Sequence, residues 1–222
     1  MRTIATLALL VVLMAPSLVA AAEPTTEEQK TFYALGLAVS QSLATFNLSA
    51  AELELVKDGF TDGILHKTPK ADLQTYGPKL QELQKTRVSA AAAEEKKASQ
   101  AFLDTATAAP GATKTASGLI ITTLKPGTGD SPKVTDKVKV HYQGTLTDGT
   151  VFDSSLQRGE PVTFPLNGVI RCWTEGVQMM KIGGKSRLVC PADLAYGDRG
   201  APPRIKPGAT LVFEVELLEI VK

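Results

Sequence analysis

Histidine, cysteine and tryptophan are scarce: two His, two Cys and one Trp occur among 222 residues. Two His and two Cys are too few for most metal centres, and no metal or cofactor is expected. No Cys-x-x-Cys pair exists, which argues against a thioredoxin-like redox role. An excess of one charge is lacking too. Lys and Arg number 24 against 23 Asp and Glu, a net charge of +1, so neither nucleic acid nor an anionic membrane is favoured as a partner. Apart from residues 4–13 there is no long apolar run. That run follows Arg2 and precedes Pro16 and the small residues Ala20, Ala21 and Ala22. This is the layout of an export signal, residues 1–22, cleaved before Glu23. An uncleaved anchor helix is the alternative, but the run is short for a membrane span and no second one follows. No Cys lies near the cleavage site, which argues against a lipid anchor. An exported chain can carry a disulfide.

Residues 23–108 read as helical. Thr25 and Glu28 have capping-box spacing, and Phe32, Leu35, Val39, Leu43 and Phe46 then recur at helical steps. Ser49 and Glu52 form a better box, with Leu48 and Leu53 at staple positions. Leu53, Val56, Phe60 and Ile64 carry that helix on until Gly63 and Lys67 end it. Thr68-Pro69 reads as a third start. Residues 79–108 are rich in Ala, Glu, Lys and Gln, without Pro or Gly, and 84–100 hold hardly any large apolar side chain. High intrinsic propensity predicts one long helix there, kinked at its start by Gly77-Pro78. A helix polar all round usually crosses solvent between domains, and a disordered Ala/Lys linker is the alternative. Two short helices of roughly forty residues cannot bury a sufficient core. Their stripes are expected to need a second copy of the chain, so residues 23–108 are read as a dimerisation domain with a connecting helix.

Residues 109–117, with Pro110 and Gly111, read as a linker. After Gly118 the period changes to two. Val138, Val140 and Tyr142 alternate with polar neighbours, as do Leu211, Phe213, Val215 and Leu217. Asp148-Gly149 between two such runs signals a hairpin. One short helix fits from Trp173 to about Met180. Residues 118–222 are therefore expected to form an antiparallel sheet with one short helix, and the whole chain is α+β.

Common catalytic motifs fail. Gly183-Gly184-Lys185-Ser186 looks like the end of a phosphate loop, but Met179 stands where that loop needs glycine. No nucleophile elbow surrounds Ser154 or Ser155. His141 lies inside an alternating strand and reads as structural, and His66 stands alone. What remains is an aromatic set, Tyr142, Phe152, Phe164, Trp173, Tyr196 and Phe213, with Val169, Ile170 and one acid, Asp153. Any one of these aromatics more often fills a core. Together they have the make-up of an apolar pocket with a few polar groups.

Five segments in order carry a resemblance. Val140-His-Tyr-Gln-Gly144, Gly149-Thr-Val-Phe-Asp-Ser-Ser155, Gly168-Val-Ile-Arg-Cys-Trp-Thr-Glu-Gly176, Leu194-Ala-Tyr-Gly197 and Ala209-Thr-Leu-Val-Phe-Glu-Val-Glu-Leu217 are similar to the FKBP-type peptidyl-prolyl cis/trans isomerases. The export signal and helical arm resemble, by layout, the Mip/FkpA-like branch of bacterial envelope proteins. The resemblance implies a bent sheet wrapped around the short helix, with the prolyl pocket between them. It implies pocket roles for Tyr142, Phe152, Asp153, Phe164, Val169, Ile170, Trp173, Tyr196 and Phe213. Trp173 would be the floor, and the Tyr196 hydroxyl and Ile170 amide would bond carbonyls of the bound chain. Arg158 would partner Asp153. The implied partners are proline-containing unfolded or exported proteins and macrolide inhibitors of the tacrolimus type. The implied location is the periplasm, with association to the outer membrane left open.

The chain departs from the family pattern in three places. Val162 stands where some members have an aromatic. Ala201-Pro-Pro-Arg-Ile205 forms a different lip, with Ala201 where relatives carry His and Ile205 as an apolar contact. Cys172 replaces a common Gly. Cys190 is the only other cysteine, in the same domain of an exported protein, so a Cys172–Cys190 disulfide is expected over two free buried thiols. It would close a loop of about eighteen residues. Catalysis would then work by differential binding of a twisted amide, without a nucleophile. A chaperone that holds unfolded clients is the second reading, and an adaptor whose pocket has lost activity is a weaker third.

Overall fold

The structure, a computed structural model, describes residues 23–221. The expected export signal lies outside the described residues. The chain divides into two compact units between Val39 and Ser40. Helix α1 (Glu27–Leu43) runs through that boundary and buries none of its residues. Its start differs from expectation by one residue. Thr26 Oγ1 accepts from the Gln29 N–H at 3.2 Å, and Gln29 Oε1 accepts from the Thr26 N–H at 3.2 Å. A neutral amide at the third position therefore closes the box in place of Glu28.

Within the second unit, helix α2 (Ala50–Ile64) opens on the expected Ser49–Glu52 box. Glu52 does a second job. Arg87 Nη2 donates to its Oε1 at 2.5 Å, while Arg87 Nη1 donates to the Phe46 and Asn47 carbonyls. The Arg87 bonds, with those of Ser49, hold the Glu52 carboxyl at about 2.

Helix α3 (Leu73–Ala108) corrects three expectations. It does not begin at Thr68-Pro69. Asp72 is its N-cap, accepting from the N–H groups of Gln74 and Thr75 at 3.2 and 2.9 Å. It also runs through Pro78 rather than starting after it. Nor is its second half a strut in solvent. Ala92 and Ser99 are buried, and Phe102, Leu103 and Ala106 pack against Ile120, Val189 and Val212. The seat combines Phe102 and Leu103 with the small side chains of Ala92, Ser99 and Ala106, so no continuous stripe of large apolar residues announces it.

The sheet has seven strands. β1 (Ala112–Lys114), β2 (Ile120–Lys125), β3 (Lys137–Leu146), β4 (Val151–Ser154), β5 (Val162–Pro165), β6 (Lys185–Cys190) and β7 (Leu211–Val221) pair antiparallel in the order β1-β2-β6-β7-β3-β4, with β5 also on β3. Edge strand β1 falls inside the stretch expected as a linker. The Asp148-Gly149 hairpin forms, closed by the Leu146 N–H on the Thr150 carbonyl at 2.9 Å. Alternation along β7 sends Leu211, Phe213, Val215 and Leu217 into one core, while Val212 faces the cluster with α3. A one-turn helix α4 (Ser155–Arg158) follows β4, and helix α5 (Arg171–Gln178) buries Cys172, Trp173, Gly176 and Val177 on the concave face. Among the described residues, no helix is long and apolar enough to cross a membrane.

Candidate active site

Between α5 and the inner face of the sheet lies a cavity of about 340 Å³, open to solvent. It is lined by Tyr142, Phe152, Asp153, Phe164, Gly168, Val169, Ile170, Trp173, Tyr196 and Phe213. All of these were expected in the pocket except Gly168, which the sequence offered only as the first residue of a motif. Strand parity explains part of the convergence. Tyr142 on β3 and Phe213 on β7 point to the same face, two strands bonded directly to one another. Trp173 comes from the first turn of α5 and is 4% exposed, so it is a floor rather than a wall.

Three rings stand edge-on to the indole. Tyr142, Phe213 and Phe164 lie 5.1, 5.4 and 5.7 Å from it, with interplanar angles of 84–87°. Phe152 stacks edge-on to Phe213 at 5.6 Å. T-shaped pairs place ring edges against ring faces, so the rings brace one another. Gly144 makes the last pair possible. A Cβ there would lie 2.6 Å from the Phe152 ring and 2.9 Å from Phe213. Sequence reading placed this glycine at the end of the first motif but gave it no role in the site.

The polar side of the cavity is one network. The Tyr142 hydroxyl donates to Asp153 Oδ2. Arg158 Nη1 donates to Asp153 Oδ1 at 2.5 Å, and Nη2 donates to the Tyr142 oxygen at 2.9 Å. Burial pushes the Asp153 carboxyl up, but the bonds from Tyr142 and Arg158 and the guanidinium charge outweigh it and hold it below the usual range. Burial, then the Asp153 bond, pushes the Tyr142 phenol up. Near neutral pH the acid is therefore charged and the phenol protonated. Ser155, also missed, pins this network to the sheet. Its hydroxyl accepts from the Tyr142 N–H at 2.8 Å and donates to the Tyr142 carbonyl at 3.2 Å. His141, expected as structural, bonds the same hydroxyl at 3.1 Å.

Four expected residues lie off the cavity. Arg158 stands behind Asp153 and the Tyr142 hydroxyl and reaches the site through those two residues. Val162 pairs with Val140 and packs on the core, while Phe164, two residues on, lines the cavity. Ala201 and Ile205 exchange two main-chain bonds, 2.8 and 3.0 Å, that close the lip into a tight loop. That loop turns Ile205 into the core at 5% exposure instead of toward the pocket. The expected disulfide is present. Cys172 and Cys190, both fully buried, tie the first turn of α5 to the end of β6.

Comparison with known proteins agrees with this geometry. A family model for the FKBP-type peptidyl-prolyl cis-trans isomerase matches residues 129–218, and one for the domain amino terminal to it matches residues 28–121. The chain is 44% identical to the FKBP-type isomerase FkpA of Aeromonas hydrophila, over 90% of this chain and 79% of that protein. It is 41% identical to the FKBP-type 22 kDa isomerase of Escherichia coli K12, over 88% of this chain and 97% of the other. The crystal structure of FkpA from Escherichia coli superposes with a TM-score of 0.65 at 33% identity, covering 88% of this chain and 97% of that one.

Proposed function

The chain belongs to the FKBP-type peptidyl-prolyl cis-trans isomerases, and we propose that its catalysis takes place in the cavity floored by Trp173. The observation that carries this reading is the joint geometry of four edge-on rings and one partly exposed carboxylate around a single apolar hollow.

Rotation about an X-Pro bond opposes amide resonance, a barrier of about 18–20 kcal/mol. No nucleophile is needed to lower it. The twisted amide loses resonance and its C–N bond becomes less polar, so an apolar cavity suits it better than water does. The proline ring sits over Trp173 between Tyr142 and Phe213. Ile170 is the N-cap of α5, where N–H groups have no intrahelical acceptor, and its amide is directed at a substrate carbonyl. Tyr196, 42% exposed at the rim, donates its hydroxyl to a second one. These two bonds hold the flanking chain while the amide turns. Asp153, kept charged by the bonds from Tyr142 and Arg158, fixes the Tyr142 ring and sets the polarity beside the rotating bond. Macrolides of the tacrolimus type occupy the same hollow.

The arm supports a second activity. In the second unit Leu55, Phe60, Ile64, Leu65 and Leu73 are 56–78% exposed, surface that a helical arm in water would cover. Pairing through residues 23–108 covers it in a homodimer, and the arms hold unfolded exported clients in the periplasm while the pockets turn their prolines.

The test uses the single tryptophan. Titrating a tacrolimus-type macrolide into the full chain shifts Trp173 fluorescence and abolishes isomerisation of a proline peptide with one shared midpoint. A macrolide that leaves both unchanged refutes the pocket assignment. The arm alone, residues 23–108, should slow client aggregation, and the macrolide should leave that unaffected.

A further inference from the structure

Tyr196 is fixed little by its own packing, being 42% exposed between two 3-10 turns, Ala192–Leu194 and Gly197–Arg199. The loop that carries it is nevertheless held from two sides. On one side the disulfide pins Cys190, just before the first turn, to the helix of Trp173. On the other stands α3, which belongs to no wall of the pocket.

Lys96 of α3 reaches one carboxylate in each turn. Its Nζ lies 2.8 Å from Asp193 Oδ1 and 2.7 Å from Asp198 Oδ1. These two acids flank Tyr196, three residues before it and two after it. One turn earlier on the helix, Ala92 is 1% exposed. It faces Gly208, where an added Cβ would lie 2.3 Å from the Ala92 carbonyl oxygen. The Gly208 N–H in turn donates to the Gly197 carbonyl at 3.0 Å. Helix backbone, Gly208, Gly197 and Tyr196 thus form one packed chain, and Lys96 closes it with charge.

We propose that Lys96 is a positioning residue of the isomerase: by bridging Asp193 and Asp198 across Tyr196, it fixes where the Tyr196 hydroxyl stands over the pocket. The inference rests on the reading of Tyr196 as a donor to the bound chain. A lysine suits the task because its ammonium is a compact charge with three donors, enough for two carboxylates at once. Without it the two acids repel one another and the loop is free to open. Ion pairs this exposed add little to global stability. The consequence therefore falls on catalysis, where a displacement of about 1 Å is costly. It also gives the long helix a role in the reaction itself: any force that levers α3 off Gly208 moves the hydroxyl.

Kinetics on the full chain with a proline tetrapeptide, paired with urea unfolding, test this. Lys96→Met should lower kcat/KM by about threefold to tenfold with an unchanged unfolding midpoint, and Lys96→Arg should stay within about twofold of the parent. The double change Asp193→Asn with Asp198→Asn should reproduce the Lys96→Met loss. In a Tyr196→Phe background, Lys96→Met should cost nothing further, because both act through one hydroxyl. Losses that multiply, or a Lys96→Met variant as active as the parent beside an impaired Tyr196→Phe, overturn the clamp alone. A Tyr196→Phe variant with full activity overturns the reading of Tyr196 and the clamp with it.

Discussion

The C-terminal lobe and the helical arm treat apolar residues in opposite ways. In the lobe, Leu119, Leu166, Leu188, Leu211 and Leu217 are wholly buried. In the arm, α2 buries none of its residues, and Phe60 and Ile64 are more than half exposed. A surface built by alternation on a sheet closes on itself within one chain. A stripe along two short helices does not, and asks for another molecule. Helix α3 belongs to both regimes: its first half shares the arm's exposed leucines, and its second half seats Phe102, Leu103 and several small residues on the lobe.

The largest effects should come from breaking the lobe's self-sufficiency. Leu217→Ala empties a fully buried site and should cost about 2–5 kcal/mol of unfolding free energy, read by urea titration. Replacing both Cys172 and Cys190 by Ala should cost about 3 kcal/mol, since the bridge closes a short loop in the unfolded chain. In the arm the same kind of change should act differently. Phe60→Asp should leave lobe stability and peptide isomerisation intact while, if the proposed pairing through the arm holds, shifting sedimentation from dimer to monomer. The smallest effect is a pH dependence. Glu52 is held near 2 against an ordinary value of 4.5. A lowered carboxyl stabilises above the ordinary value and loses that contribution as pH falls toward 2. Arm helicity, followed by circular dichroism, should therefore weaken across that window, and Arg87→Met should reduce this dependence to the share left by the Ser49 bonds.

How far the residues alone disclosed this molecule also differs between the regions. The lobe's alternation, its hairpin and nearly all of its cavity were legible, because period-two patterning and five ordered motifs converge on one layout. What escaped was contact through small groups. Gly144 under Phe152, Ser155 beneath Tyr142, and Ala92 against Gly208 each work by having little side chain, and scales that weigh apolar bulk pass over them. Ile205 was misplaced because a two-way backbone bridge with Ala201, which no side-chain pattern announces, turns it inward. In the arm, the Ser49 box was found, yet the α1 box fell one residue late and the α3 start four residues late. Several Ser, Thr and Asp compete to cap those ends, and only the backbone path decides among them.

The central claim is that shape and polarity around Trp173, without a nucleophile, turn the X-Pro bond. The most direct measurement is kcat/KM on a proline tetrapeptide for Phe152→Ala and Asp153→Ala, with circular dichroism recorded on the same samples. Each variant should fold as the parent does and lose at least about tenfold in rate, the effect of about 1.4 kcal/mol of transition-state stabilisation. Two folded variants that turn over the peptide as fast as the parent would contradict the account.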